Sequence, residues 1–218
     1  MKSKEKKMLF FGLGLILAFI AWTVMVMTVD YRAVGVKGTS VGFSSFNTWF
    51  HSITGVHMTL YVITDWLGLV PLFVCFTFAG VGLVQLIKRR SLFKLDLDII
   101  FLGVYYILVI FGYLIFEMIP LNYRPILING FMEASYPSST TLLVLSVMPT
   151  LTFQCSFRLK NMVLKRVINV ITVIFSVFMV LGRLIAGVHW FTDIVGSVLL
   201  CGGLFYSYKA IALLTKKE

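Results

Sequence analysis

Long apolar runs separated by short polar segments dominate this chain. A helix needs about 20 apolar residues to cross a bilayer, and the first run, "MLFFGLGLILAFIAWTVMVMT", covers residues 8–28. Five further runs follow, at 66–87, 99–120, 141–157, 167–182 and about 189–208. The pattern predicts an all-α membrane protein built from six transmembrane helices.

The stretch between the first two runs has a different pattern. Residues 40–62 mix apolar and polar positions, which is typical of an amphipathic helical segment lying on a membrane surface. No internal repeat or low-complexity linker divides the sequence, so we expect one membrane domain over 1–218. The first run is longer than the apolar core of a typical secretory signal peptide, and no A-x-A cleavage site follows it. We therefore expect this run to be retained as a helix.

Composition agrees with the apolar pattern. Of the 218 residues, 59% are hydrophobic and only 13% are charged, which excludes an ordinary soluble domain. Cys75, Cys155 and Cys201 all lie inside apolar runs without metal-like spacing, so we interpret them as core thiols.

The net charge of +10 is unevenly distributed. If six helices alternate in direction, 15 of the 19 basic residues fall on one side of the membrane: Lys2, Lys4, Lys6, Lys7, Lys88, Arg89, Arg90, Lys94, Arg158, Lys160, Lys165, Arg166, Lys209, Lys216 and Lys217. Positively charged loops stay in the cytoplasm. The charge therefore predicts a multi-pass protein of the cell membrane with both termini cytoplasmic, and it does not indicate nucleic-acid binding.

Most of the unusual polar residues face the opposite, outer side. Charged groups at membrane depth are costly and are functional candidates. His189 and Asp193 are four residues apart and share a helical face, so the carboxylate can orient the imidazole. The candidates near this outer face are Glu117, Arg124, Glu133, Arg183, His189 and Asp193. An alternative for the His–Asp pair is a structural cap, with Arg183 extending to lipid phosphates.

The segment "EASYPSSTT" (133–141) precedes the fourth run. Pro137 followed by Ser138, Ser139 and Thr140 is typical of a helix N-terminus. The first turn of a helix offers free N–H groups and a positive dipole end, which together bind anions. Capping alone would also explain these hydroxyls, but it would not explain two arginines and a His–Asp pair at the same surface.

These motifs resemble the type 2 phosphatidic acid phosphatase (PAP2) superfamily of membrane lipid phosphatases, whose signature is K-x6-R-P, then P-S-G-H, then S-R-x5-H-x3-D. The third part matches as Arg183, His189 and Asp193, with Gly182 in place of its serine. The first part matches as Arg124 and Pro125, and the second as Pro137 and Ser138.

The resemblance implies a role for each matching residue. His189 would be the nucleophile that forms a phosphohistidine, and Asp193 would orient it. Ser139 and first-turn backbone groups, with Arg124, Arg183 and Ser138, would bind the phosphoryl oxygens. Phosphoryl transfer needs an in-line nucleophile and positive charge around the phosphate, so we expect no cofactor and no metal.

Two positions depart from the family pattern. Glu117 stands where the family has lysine, and Thr140 stands at the histidine that would protonate the leaving group. General acid catalysis contributes ~10²–10⁴-fold, and a threonine hydroxyl is too weak an acid to replace it. We therefore expect diphosphates, whose leaving group is already a tolerable anion, to be affected less than monophosphates.

Two functions remain open at this point. The first is a phosphatase acting on a lipid phosphate or diphosphate at the outer face, with undecaprenyl diphosphate as the best candidate and phosphatidylglycerol phosphate or phosphatidic acid next. The second is a catalytically silent relative that binds or helps to translocate a phospholipid. A channel or transporter has little support, because no predicted span carries a row of charges. The expected partners are the substrate lipid and the bilayer, and the sequence does not determine the oligomeric state.

Overall fold

Eight α-helices, described in a computed structural model over residues 2–215, account for most of the chain. Lys216 and Lys217, part of the predicted basic C-terminus, lie outside the described residues. The helices are α1 Lys2–Thr28, α2 Ser44–Thr54, α3 Met58–Leu67, α4 Leu69–Arg89, α5 Leu97–Met118, α6 Ser139–Arg158, α7 Met162–Ile185 and α8 Phe191–Thr215. Within the described chain, extended pairing is limited to three isolated bridges in loops.

The prediction of an all-helical, six-span membrane fold is confirmed. Six segments are long and apolar enough to cross a bilayer, and five of them correspond closely to single predicted runs. The second differs, because α3 and α4 together form one apolar segment, Met58–Arg89, interrupted only at Gly68. This span therefore begins eight residues before the predicted 66–87.

The predicted amphipathic stretch 40–62 is also divided differently. Its central part is α2, whose N-cap Phe43 has a left-handed backbone conformation with φ of 49°. Its last residues belong to α3, which packs against α7. This correction matters for the site, because α3 carries side chains that the prediction assigned to a surface loop.

The interface between α1 and α8 depends on close backbone approach. Gly12 of α1 faces Ser207 and Gly203 of α8, and a Cβ at Gly12 would lie 2.8 Å from the Ser207 backbone nitrogen. Small residues allow helices to pack this closely in a membrane. At the far end of the same interface, the indole of Trp22 donates a hydrogen bond to the carbonyl of Thr192 (3.1 Å).

Helix α6 is the most enclosed of the spans. In its apolar stretch 56% of the residues are buried, against 17–33% in the other spans. Some of its polar groups have partners inside the bundle. The hydroxyl of Tyr105 donates to the carbonyl of Ser146 (2.9 Å), and the amide of Gln154 donates to the hydroxyl of Tyr208 (2.8 Å). Protein surroundings explain why α6 can be less apolar than a lipid-facing helix.

The loops at the basic end are joined by ion pairs. Arg89 contacts Asp96 at 2.7 Å, and Arg158 contacts Asp98 at 2.6 Å. The first pair joins the end of α4 to the α4–α5 loop, and the second joins the end of α6 to the start of α5. The connections α5–α6 and α7–α8, with α2 and α3, lie at the other end of the bundle.

Candidate active site

The loop between α7 and α8 places His189 inside the protein. Only 4% of the residue is exposed. Gly187, two residues earlier, has a φ of 69° and approaches Gly55 so closely that a Cβ there would overlap its carbonyl oxygen. The Nε2–H of His51 donates to the carbonyl of Gly187 (3.0 Å), and the backbone N–H of His57 donates to the carbonyl of Ala186 (3.0 Å). The α2–α3 connection therefore fixes the loop that carries His189.

The hydrogen bonds of His189 define which ring nitrogen carries the proton. Its Nδ1 lies 3.1 Å from the backbone oxygen of Ser135 and 3.6 Å from Oδ2 of Asp193. A carbonyl oxygen can only accept, so Nδ1 is the donor. The lone pair is then on Nε2, which faces the guanidinium of Arg183 at 3.4 Å from Nη2. A neutral imidazole in this tautomer presents Nε2 as a nucleophile.

Asp193 is held by several donors and supports the histidine partly through Ser135. Its Oδ2 accepts hydrogen bonds from the hydroxyl of Ser135 and from the backbone N–H of Trp190 (2.8 Å). Its Oδ1 accepts from the side-chain amide of Asn122 (3.1 Å). We expected Asp193 to accept the imidazole proton directly, but the carbonyl of Ser135 is the nearer acceptor. The orienting group is thus a carboxylate with a serine between it and the ring.

Burial controls the charge of His189. Removal from water disfavours the imidazolium and lowers the pKa of His189 to about 4. The nearby carboxylate of Asp193 raises the pKa of His189, while the positive charges of Arg124 and Arg183 lower it further. The ring is therefore neutral at physiological pH, as a nucleophilic imidazole must be.

Two arginines converge above the ring of Tyr61. The guanidinium carbon of Arg183 lies 4.8 Å from the ring centroid and that of Arg124 lies 5.7 Å from it. Both side chains are buried, with residue exposures of 1% and 8%. Cation–π contacts with one shared ring hold the two like charges near each other. Together with the contact between Arg183 and His189, they assemble three of the predicted residues in one place.

A short hairpin-like loop presents Arg124. Its backbone N–H donates to the carbonyl of Glu133 (3.1 Å), and the N–H of Ser135 donates to the carbonyl of Asn122 (3.1 Å). The side chain of Glu133 also pairs with Nη2 of Arg124 (3.1 Å). Glu117, at the position where the family has lysine, lies exposed near the end of α5.

Several guanidinium nitrogens lack a hydrogen-bond partner in the described chain, although they are buried. They are Nε and Nη1 of Arg124 and Nε and Nη1 of Arg183. Burying a charged donor without a partner is costly. Donors of this kind, arranged around a nucleophilic Nε2, suit a tetrahedral oxyanion such as phosphate.

The N-terminus of α6 lies at the same end. Ser138 occupies the N-cap position, but its hydroxyl donates to the hydroxyl of Thr141 (3.1 Å) and its side chain is fully buried. Ser139 and Thr140 instead line a cavity of about 350 Å³ between α3, α4, α5 and α6. The first-turn hydroxyls nearest this space are therefore those of Ser139 and Thr140.

This cavity is polar near the site and apolar farther along the helices. Asp65, Ser139 and Thr140 lie close to the helix ends that carry the arginines. The remaining lining residues are Gly68, Leu69, Leu72, Val109, Ile110, Tyr113, Leu142 and Leu143. An apolar chain attached to a phosphate fits this arrangement.

Sequence reasoning missed four residues of the site: Tyr61, Asp65, Asn122 and Ser135. Asn122 lies two residues before Arg124, and Ser135 lies three residues before Ser138. Their closeness to the motif residues was a signal that they could belong to the site. Tyr61 and Asp65 had no such signal, because Tyr61 falls in the stretch 40–62 that was predicted to lie on the membrane surface and Asp65 falls beyond that stretch. Asp65 contacts Arg183, with Oδ1 3.7 Å from Nη1.

The profile of the PAP2 superfamily matches residues 99–215, more than half of the chain and all of the motif residues. This chain belongs to the PAP2 superfamily. Among solved structures, it is similar to a transmembrane PAP2-type phosphatidylglycerolphosphate phosphatase from Bacillus subtilis. The two share 18% identity with a TM-score of 0.62, over 94% of this chain and 98% of the other, which supports a common PAP2 fold. A search of curated proteins found no match.

Proposed function

We propose that this PAP2 protein is a membrane phosphatase that hydrolyses a lipid phosphate or diphosphate through a phosphohistidine at His189. The observation that carries the proposal is a pair of buried arginines over Tyr61, of which Arg183 faces Nε2 of His189. Nε and Nη1 of both guanidiniums have no hydrogen-bond partner in the described chain. Arginines near an oxyanion neutralise charge that develops in the transition state.

The first step uses the neutral imidazole. Nε2 attacks phosphorus, an N–P bond forms, and the bond from phosphorus to the lipid oxygen breaks. Arg124 and Arg183 bind the phosphoryl oxygens, and Ser139 with the first turn of α6 supplies further donors. Ser135 and Asp193 hold Nδ1–H and stabilise the positive charge that appears on the ring.

The second step releases phosphate. Water attacks phosphorus, the N–P bond breaks, and the neutral imidazole returns. The lipid chain occupies the apolar part of the cavity, against Leu72 and Leu143 among others. Positioning and charge stabilisation by the protein therefore supply most of the catalysis.

Our choice of substrate depends on how easily the leaving group departs and on which side of the membrane the site faces. Thr140 lacks the acidity of the family histidine, so a lipid monophosphate depends on another proton source, whereas a diphosphate expels a lipid phosphate anion. With the basic loops in the cytoplasm and the site outside, undecaprenyl diphosphate is our best candidate. Phosphatidylglycerol phosphate and phosphatidic acid come next.

A silent lipid-phosphate binder is the second candidate, and Thr140 is the observation that favours it. The oriented histidine argues for chemistry, since binding alone does not need a neutral ring held by Ser135 and Asp193.

The test is phosphate release from undecaprenyl diphosphate by the purified protein in detergent, with His189→Ala as the control. We expect release that His189→Ala abolishes, and no release from either protein would favour the silent binder.

A further inference from the structure

The family pattern leaves this chain without a leaving-group acid at position 140. The other histidines do not supply one, because the ring Nε2 atoms of His51 and His57 bond to backbone carbonyls. Among the described carboxylates near the site, Glu133 is paired with Arg124 at 3.1 Å and Glu117 does not line the cavity beside Thr140. Asp65 lines that cavity, and its contact with Arg183 is longer, at 3.7 Å.

Asp65 contacts Arg183 and lines the same cavity as Thr140. Its Oδ1 is 3.7 Å from Nη1 of Arg183, while Nη2 of the same guanidinium faces Nε2 of His189 at 3.4 Å. The nucleophile and the carboxylate therefore contact different nitrogens of one arginine. Asp65 also lines the cavity with Thr140, the position from which the family histidine would act.

A second departure from the family pattern explains how Asp65 reaches this position. Gly182 replaces the family serine, and a Cβ at Gly182 would lie 2.7 Å from Cγ2 of Thr64. The glycine thus allows α3 to pack tightly on α7, one residue from Arg183. Tyr61 and Asp65, four residues apart, share the face of α3 that this contact turns toward the arginine.

We propose that the Asp65 carboxyl group is the general acid of this chain, in place of the histidine absent from position 140. The inference rests on the proposed phosphatase function. A bound phosphate favours a proton on a carboxylate beside it, because two negative charges at close range are destabilising. The Asp65 side chain is 59% exposed, so water reaches it.

Asp65 donates a proton in the first step and accepts one in the second. As the N–P bond to His189 forms and the P–O bond breaks, protonated Asp65 gives its proton to the lipid oxygen and becomes a carboxylate. The carboxylate then accepts a proton from the water that attacks phosphorus, the N–P bond breaks, and phosphate leaves. Asp65 ends protonated and His189 neutral, as at the start.

The test compares kcat/KM for a lipid monophosphate and for p-nitrophenyl phosphate in Asp65→Asn and in the unmodified protein. We expect Asp65→Asn to lower kcat/KM for the lipid by ~10²–10⁴-fold, the range of a general acid. For p-nitrophenyl phosphate we expect a much smaller loss of kcat/KM, which reports formation of the phosphohistidine, since this leaving group departs without a proton. An equal loss on both substrates would instead assign Asp65 to the positioning of Arg183 and would overturn the proposal.

Thr140→His provides the decisive rescue. Combined with Asp65→Asn in a double variant, Thr140→His should restore hydrolysis of the lipid monophosphate. In the otherwise unmodified protein, the same substitution should raise turnover much less. Glu133→Gln, which neutralises the carboxylate paired with the other arginine, is the matched variant, and Thr140→His should not correct its defect. Asp65→Glu keeps the carboxyl group and should retain more activity than Asp65→Asn.

The outcomes separate the two proposals. Full activity of Asp65→Asn, together with a large gain from Thr140→His alone, would overturn the role of Asp65 and leave the phosphatase function intact. Absence of His189-dependent hydrolysis in every variant would overturn both.

Discussion

At the scale of single residues, the proposed chemistry depends on a histidine that is neutral because it is buried. Spacing alone indicated His189, Asp193 and Arg183, since an i, i+4 pair and a nearby arginine can be read directly from the sequence. The insertion of Ser135 between ring and carboxylate could not be read in this way. It depends on how the loop after α5 folds back, and no helical or strand period encodes that fold.

The protonation of His189 gives a prediction at this scale. The neutral form predominates above the pKa, and burial lowers the pKa of His189 to about 4 from its ordinary value of 6.5. As pH falls from 7, the ring should therefore stay neutral well below 6.5 and gain its proton only near 4. Imidazole ¹⁵N NMR in detergent without phosphate, with His189→Ala for assignment, measures this directly. Titration at or above the ordinary value would contradict the buried, neutral nucleophile.

At the scale of helices, the apolar runs predicted the spans well and the outer segment poorly. α6 is shorter and more polar than the other spans, yet its start was predicted because Pro137 and the hydroxyls after it are a clear N-terminal signal. α3 was not predicted as part of the second span, because its first residues were assigned to the surface segment 40–62 and Thr64 and Asp65 interrupt its apolar pattern. Tertiary contacts with α7 and Arg183 hold these polar residues, and a single-sequence pattern contains no such information.

The α1–α8 interface offers a matched pair of substitutions. Gly12→Val should destabilise the bundle by about 1–3 kcal/mol, the usual cost of overpacking, because its side chain would meet the Ser207 backbone. Gly14→Val is the control, since a Cβ at Gly14 meets nothing within 4 Å. Thermal unfolding midpoints in one detergent compare them. Equal midpoints for the two variants would show that α1 does not pack on α8 through Gly12.

At the scale of the whole molecule, the distribution of charge predicts orientation. The ion-paired loops around Arg89 and Arg158 lie at one end of the bundle, and the arginines of the site lie at the other. The sequence could predict this separation because loop charge is a local property. The amphipathic pattern of 40–62 predicted a segment beside the site, but not that α3 would place Tyr61 and Asp65 against the arginines, since that depends on the close contact at Gly182.

Cysteine labelling tests the orientation. Phe131 and Met162 are exposed, at 73% and 71%, and lie at opposite ends of the bundle. In a background without native cysteines, an impermeant reagent should label Phe131→Cys in intact cells and Met162→Cys only after permeabilisation. The reverse pattern would place the site in the cytoplasm and exclude an outer-face phosphatase.

The most direct test of the central claim is to trap the covalent intermediate. Purified protein is mixed with undecaprenyl diphosphate carrying ³²P at the terminal phosphate, and the reaction is quenched with alkali, which preserves phosphohistidine. We predict that mass spectrometry places the label on His189, and that His189→Ala retains none. A label on another residue, or phosphate release that persists in His189→Ala, would contradict the account.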